Sequence, residues 1–143
     1  MYLLDTNVVS ELRTGKPQAS PAVRAWAAAH SRGGFYICAI TVWEHELGVL
    51  RLERRTPPQG AVLRAWWNAT RKAFAGAGKI LPFDERAGQL CAQLHVPDPM
   101  SLRDSMIAAT ALAHGLAVVT RNVRDFGHVA ALQVVNPWEH QNS

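Results

Sequence analysis

Short apolar segments that end in an acidic or polar side chain constrain the fold of this chain more than any other feature. Tyr2-Leu3-Leu4 runs directly into Asp5, and the apolar segment 116–120 is followed by Asn122 and Asp125. Stretches with the apolar spacing of helices lie between such segments, so strand and helix alternate along the chain. This alternation predicts an α/β fold, with a central, mostly parallel sheet flanked by helices.

The composition indicates one folded domain. The chain has 143 residues, of which 48% are hydrophobic, so it can bury a sizeable core and we expect a single domain over residues 1–143. The net charge of +4 is compatible with a polyanionic partner but is a weak indicator. No segment reaches the ~20 apolar residues of a membrane span and no secretion signal is recognisable, so we expect a cytoplasmic protein without membrane contact.

The acids at segment ends predict a cation site. In a parallel sheet, ligands bind where the carboxyl ends of the strands meet, and Asp5, Asn122 and Asp125 should open onto that edge. Glu44 and Asp104, in the first turns of predicted helices, can reach the same edge. Like charges that gather raise one another's pKa values, and a hard divalent cation such as Mg²⁺ removes this cost. A site of this kind suits the hydrolysis of phosphodiesters.

Helix capping is the alternative explanation for two of these acids. Thr41 and Ser101 are predicted N-caps, and Glu44 and Asp104 follow them by three residues, as in a capping box. Acids near a helix N-terminus are favourable in any case, by a few tenths to about 1 kcal/mol. Capping explains Asp5 less readily. Spacing alone therefore leaves both explanations open.

An ordered set of motifs covers nearly the whole chain. The motifs are LLDTNVVSEL at 3–12, AIT at 39–41 leading to Glu44, ILPFD at 80–84, DSMIAATA at 104–111, VTRNVRDF at 119–126 and NPW at 136–138. Together they resemble the PIN-domain ribonucleases, and within them the VapC-type toxins of bacterial toxin–antitoxin systems, especially the FitB-like branch.

The resemblance implies an endoribonuclease that depends on Mg²⁺ or Mn²⁺ and cleaves tRNA or another structured RNA. Asp5 and Asp104 would be direct metal ligands, and Glu44 would complete the acidic pocket, either as a ligand or by orienting the attacking water. The fourth acidic position of the family falls on Asn122, an amide without charge. Asp125 is the candidate to compensate for the missing charge, and capping of the following turn is the alternative role of its side chain.

The same resemblance assigns supporting roles. Thr6 and Thr120 are expected to hydrogen-bond the carboxylates and hold them in place. Arg121 and Arg124 flank the site and are the candidates for RNA contact. The family also implies a homodimer, a VapB- or FitA-like antitoxin, and a larger toxin–antitoxin complex on operator DNA. Asn122 keeps open the alternative of a non-catalytic PIN-like module that binds RNA or a partner.

Two residue pairs have plainer interpretations. Cys38 and Cys91 are predicted to be buried free thiols. Trp66 and Trp67 are adjacent on a predicted helix at 61–75, so they project about 100° apart, and a small domain buries one more easily than both. A partner surface is the alternative for this pair.

Overall fold

A parallel sheet forms the centre of the molecule. The computed structural model describes residues 1–141, and within them the strands are β1 (Tyr2–Leu4), β2 (Phe35–Cys38), β3 (Ile80–Leu81), β4 (Ala117–Val119) and β5 (Val134–Val135). Their order in the sheet is β3-β2-β1-β4-β5, and every neighbouring pair is parallel. The predicted α/β class is confirmed, and β1 is the central strand.

Helices connect the strands and cover the sheet. They are α1 (Thr6–Glu11), α2 (Pro21–His30), α3 (Ala39–Arg55), α4 (Pro57–Gly76), α5 (Glu85–Gln93) and α6 (Leu102–His114). Short 3-10 turns occur at Ser31–Gly33, Val123–Asp125 and Pro137–Glu139. None of the helices in residues 1–141 is long and apolar enough to cross a membrane.

The core has two layers, because neighbouring residues of a strand point to opposite faces of the sheet. Leu3 of β1 and Val118 of β4 belong to one apolar cluster, which contains Ile107 of α6. Leu4 and Val119 belong to the other cluster, which packs against α2, α3 and α4. The central strands are therefore apolar on both faces and become polar only where they end.

The start of α3 differs from the prediction. The helix begins at Ala39 with Cys38 as its N-cap, two residues before Thr41, and the strand before it ends at Cys38. Thr41 is fully buried in the first turn, with its hydroxyl 3.8 Å from the Cys38 thiol. The capping-box interpretation of Glu44 is therefore wrong.

Other boundaries depart less from the sequence patterns. Helix α4 begins at Pro57 rather than at residue 61, since proline is well suited to the first turn of a helix. Trp67 is fully buried and its indole N–H donates to Glu46 at 3.2 Å, while Trp66 is partly exposed. Both cysteines are free and buried, as predicted.

Candidate active site

Asp5 lies at the centre of the sheet edge, directly after β1. Its backbone N–H continues the parallel pairing by donating to the Val119 carbonyl at 2.9 Å, and the residue is fully buried. Oδ1 accepts the Thr6 N–H at 2.7 Å, so Asp5 does cap α1, contrary to the expectation from sequence. Oδ2 accepts the Thr120 hydroxyl at 2.8 Å. The carboxylate is thus fixed at both oxygens.

Glu44 projects toward the same edge from the second turn of α3. Thr6 donates its hydroxyl to Oε1 at 2.5 Å. Partial burial alone would raise the pKa of Glu44, but hydrogen bonds from Arg103 and Thr6 outweigh it and hold the pKa below its ordinary value. Glu44 is therefore a carboxylate at neutral pH.

Asp104 reaches the edge from the first turn of α6. The predicted cap is present, since the Ser101 hydroxyl oxygen accepts the Asp104 N–H at 3.4 Å. The side chain of Asp104 does not complete a capping box. Its Oδ1 instead accepts a 2.8 Å hydrogen bond from Arg103. Asp104 is largely buried, with 9% of its surface exposed.

Arg103 joins the three carboxylates. Its Nε donates to Glu44 at 2.8 Å, Nη1 to Asp104 at 2.8 Å and Nη2 to Asp5 at 2.6 Å. Burial would lower the pKa of the guanidinium, but the hydrogen bonds to Glu44 and Asp5 raise it well above its ordinary value. Sequence reasoning missed this residue.

The donor set suits a hard divalent cation, because Asp5, Glu44 and Asp104 all present carboxylate oxygens. A cationic group already lies among these oxygens, which shows that they converge on one position. With Arg103 in that position, no group of three acidic, histidine or cysteine side chains in residues 1–141 is arranged to bind a metal ion. The oxygen ligands of these three residues are chemically suited to a metal ion, whereas their present positions are those of acids bonded to a guanidinium.

Asn122 and Asp125 lie beside this group rather than within it. Together with Arg121, Arg124, Asn136 and Glu139 they line a cleft of about 430 Å³ after β4 and β5. None of the side-chain hydrogen bonds found in residues 1–141 links Asn122 or Asp125 to the three carboxylates. Both therefore face the cleft that adjoins the acidic pocket.

A polar network ties this cleft to Asp5. The Thr120 hydroxyl oxygen accepts the Asn122 N–H at 3.1 Å and the Asn7 amide at 3.5 Å. The Asn7 oxygen accepts the Arg121 N–H at 3.4 Å. Asn7 is a second contributor that sequence reasoning missed, although its place in the motif at 3–12 was a signal.

The two arginines of the cleft differ in their surroundings. The Arg121 guanidinium lies 5.1 Å from the centre of the Trp138 ring, in a cation–π contact that fixes its direction. Arg124 is exposed on the 3-10 turn that follows β4. Both arginines line the cleft.

His45 is a buried neutral neighbour of Glu44. Its ring stacks on Trp67 with 4.6 Å between centroids, and Nε2 has no hydrogen-bond partner within residues 1–141. Burial lowers the pKa of His45 to about 4, against the opposing charges of Glu44 and Asp5. His45 therefore adds no positive charge to the site at neutral pH.

Known proteins are similar to this chain in sequence and in fold. The PIN domain family model matches residues 2–132. VapC ribonuclease Y4jK of Sinorhizobium fredii is 39% identical, over 97% of this chain and 99% of its own length. Toxin FitB of Neisseria gonorrhoeae is 36% identical, over 96% of this chain and 99% of its own. In a structure of FitAB bound to an IR36 DNA fragment, one chain is 35% identical with a TM-score of 0.83, and the match covers 99% of both chains. The fold, the sequence and the converging acids agree: the chain belongs to the PIN-domain family, among the relatives of the VapC and FitB toxins.

Proposed function

We propose that this chain is a divalent-metal-dependent endoribonuclease, the toxin of a VapBC-type toxin–antitoxin system. The observation that carries the proposal is the convergence of Asp5, Glu44 and Asp104 on a single cationic group. These residues come from three distant segments, and keeping their charges together would be costly without a cation. The VapC ribonuclease and FitB relatives support the same activity.

The residues divide the work according to their surroundings. Asp5 and Asp104, the two most buried acids of the group, would hold Mg²⁺ or Mn²⁺. When bound, the cation supplies charge neutralisation at the phosphoryl oxygens and activates a water molecule. Glu44 is ionised and oriented by Thr6, so it can accept a hydrogen bond from the attacking water. The hydroxyl of Thr120 holds Asp5 in place through its hydrogen bond to Oδ2.

The adjoining cleft is the proposed path of the RNA. Arg121 and Arg124 supply positive charge there, and Asn122 and Asp125 line the same cleft. A tRNA or another structured RNA is the proposed substrate class. Asn122 offers an amide where the family often has an acid, so we propose that one tightly held metal ion is sufficient and that Asp125 adds the remaining negative charge.

The proposed partners follow from the solved relatives. The FitAB structure contains a toxin–antitoxin pair on a DNA fragment, which supports a FitA- or VapB-like antitoxin and an operator-bound complex for this chain. A homodimer, one domain over residues 1–143 and a cytoplasmic location complete the proposal.

The decisive experiment measures cleavage of labelled RNA by the purified protein. We expect cleavage with Mg²⁺ or Mn²⁺, none with excess EDTA, and restoration when the metal is returned. Asp5→Asn and Asp104→Asn should each abolish cleavage while circular dichroism shows an unchanged fold. Full activity in both variants would contradict the site assignment.

A control separates the enzyme from a non-catalytic binding module. An exposed acid outside the site, Glu85 of α5, is changed to Gln and should leave cleavage as it is. If the wild-type protein binds RNA but cleaves none at any metal concentration, the binding-module alternative replaces the nuclease.

A further inference from the structure

One guanidinium bonds to three carboxylates that come from three different segments of the chain. Arg103 uses a different nitrogen for each acid, at 2.8 Å to Glu44, 2.8 Å to Asp104 and 2.6 Å to Asp5. An arginine that pairs with one carboxylate usually makes two parallel bonds to it. Here the bonds are shared among separate acids, as those of a multivalent metal ion would be.

The position of Arg103 allows its side chain to move from the acids into solvent. Its side chain is 31% exposed, whereas that of Asp5 is fully buried. It also lies in the first turn of α6, where the positive end of the helix disfavours a cation. The three ion pairs therefore hold the guanidinium inward, and the long side chain regains rotational freedom if it moves to solvent.

The acids remain undercompensated when Arg103 is in place. Three carboxylates face one guanidinium, which leaves an excess of negative charge in a largely buried pocket. A divalent cation brings more charge to the same oxygens. The two cations cannot both take these oxygens, because the guanidinium occupies the point at which they converge.

We infer that Arg103 is an internal counter-ion that competes with the divalent cation for Asp5, Glu44 and Asp104. It thereby sets the metal concentration at which the site is loaded. The inference rests on the proposed metal-dependent function and adds a residue that controls it. Arg103 stabilises the acids until metal arrives, and it moves toward solvent when metal binds.

Metal binding in the absence of RNA tests this directly. Mn²⁺ is titrated into the full-length wild-type protein, Arg103→Met and the control Arg86→Met, and free Mn²⁺ is measured by electron paramagnetic resonance. Arg86 is an exposed arginine on α5 that is not the partner in the ion pairs of the three acids. We expect the dissociation constant of Arg103→Met to fall roughly tenfold or more, since charge-assisted hydrogen bonds contribute at least that much. Arg86→Met should match the wild type.

The location of the added affinity is checked in a double variant. Asp104→Asn combined with Arg103→Met should lose the gain in Mn²⁺ affinity, because one of the contested oxygens has lost its charge. The inference is overturned if the Mn²⁺ dissociation constant of Arg103→Met is equal to or higher than that of the wild type. Persistence of the full gain in the double variant also overturns it, because the metal would then be bound elsewhere.

Folding is monitored in the same samples. Arg103→Met leaves the acids without a counter-ion, so we expect a lower Tm than wild type without Mn²⁺ and a larger rise in Tm when Mn²⁺ is added. If that variant does not fold, Arg103→Lys replaces it. A lysine keeps one charge but has no planar fork to reach three acids, so it should compete less well with the metal. The Mn²⁺ dissociation constant of Arg103→Lys is therefore expected to lie below that of the wild type. A constant equal to wild type in Arg103→Lys would overturn the inference in that case.

The experiments can distinguish a failure of the counter-ion inference from a failure of the proposed nuclease function. Tighter Mn²⁺ binding by Arg103→Met, with no RNA cleavage by any variant, would overturn the nuclease and keep the counter-ion. Metal-dependent cleavage by the wild type, with an unchanged Mn²⁺ constant in Arg103→Met, would keep the nuclease and overturn the counter-ion.

Discussion

The hydroxyl of Thr120 donates a 2.8 Å hydrogen bond to Oδ2 of Asp5, although the two residues are 115 positions apart. Both are fully buried, and they lie at the ends of the neighbouring strands β1 and β4. The orientation of the most buried acid therefore depends on a strand from the other end of the chain.

Replacing this hydroxyl tests its role in positioning Asp5. Thr120→Val keeps the shape of the side chain but removes the donor, so cleavage should fall about 10- to 100-fold. Stability should fall by roughly 1–3 kcal/mol, because a buried carboxylate oxygen loses its partner. Cleavage rates and urea unfolding measure the two effects. Thr120→Ser retains the donor and should stay near wild type; an equal loss in both variants would contradict the role of the hydroxyl.

The charge of Arg124 should appear in the salt dependence of RNA binding. Arg124→Gln removes one proposed phosphate contact, so affinity should weaken and the slope of log K against log salt should fall by about 0.7–0.9. Filter binding with EDTA present measures affinity without cleavage. The matched variant Arg86→Gln changes net charge equally at an exposed position that does not line the cleft. Identical slopes in the two variants would show that Arg124 makes no specific contact.

Glu11 should contribute stability that depends on pH. It is 6% exposed, and hydrogen bonding from Lys16, opposed by burial and assisted by the Ser20 N–H, holds its pKa below the ordinary 4.5. Because the pKa is lower in the folded state, the contribution is present above the unfolded pKa and is lost as pH falls through the folded pKa. Glu11→Gln should therefore cost roughly 1 kcal/mol at neutral pH and progressively less below pH ~4.5. Urea unfolding across this pH range checks the prediction, with the exposed Glu85→Gln as control. A difference that stays constant with pH would contradict it.

Two helical glycines should respond in opposite directions to alanine. Gly48 lies inside α3 with nothing within 4 Å of an added Cβ, so Gly48→Ala should raise stability by about 0.5–1 kcal/mol. An added Cβ at Gly60 of α4 would lie 2.5 Å from the Glu53 Cα, so Gly60→Ala should destabilise by about 1–3 kcal/mol. Thermal and urea unfolding measure both variants. Equal changes in stability in the two variants would mean that the close approach of α3 and α4 is not the reason for glycine at position 60.

The sheet and its acidic edge could be predicted because their signals are local. Apolar residues 2–4 form β1 and the next residue is Asp5, so strand, strand end and acid are readable together. Ser101 and the periodicity after it likewise define the start of α6. Such patterns depend on neighbours within one helical turn or one strand.

The start of α3 could not be predicted in this way. Thr41 has the residue type of an N-cap, but packing in the core buries it completely inside the first turn. Cys38 takes the cap position, although its side chain caps no backbone N–H of the helix and instead contacts the Thr41 hydroxyl. Burial of Thr41 in the core outweighed its local preference for the N-cap position. The sequence around Thr41 contains no pattern that predicts this burial.

Arg103 was hidden because two of its three partners are remote in sequence. Asp5 is 98 positions away and Glu44 is 59 positions away. The sequence offers one sign, a basic residue in the first helical turn, where the helix dipole makes it unfavourable. A residue placed against its local preference indicates a compensating contact elsewhere.

The central place of β1 has a consequence for biosynthesis. The strand translated first needs β4 beside it before Asp5 can donate its N–H to Val119. A nascent chain that has not yet emerged beyond that strand holds Asp5 without Thr120. The ribosome therefore translates β4 before the acidic centre can assemble, and a product that terminates before β4 lacks it.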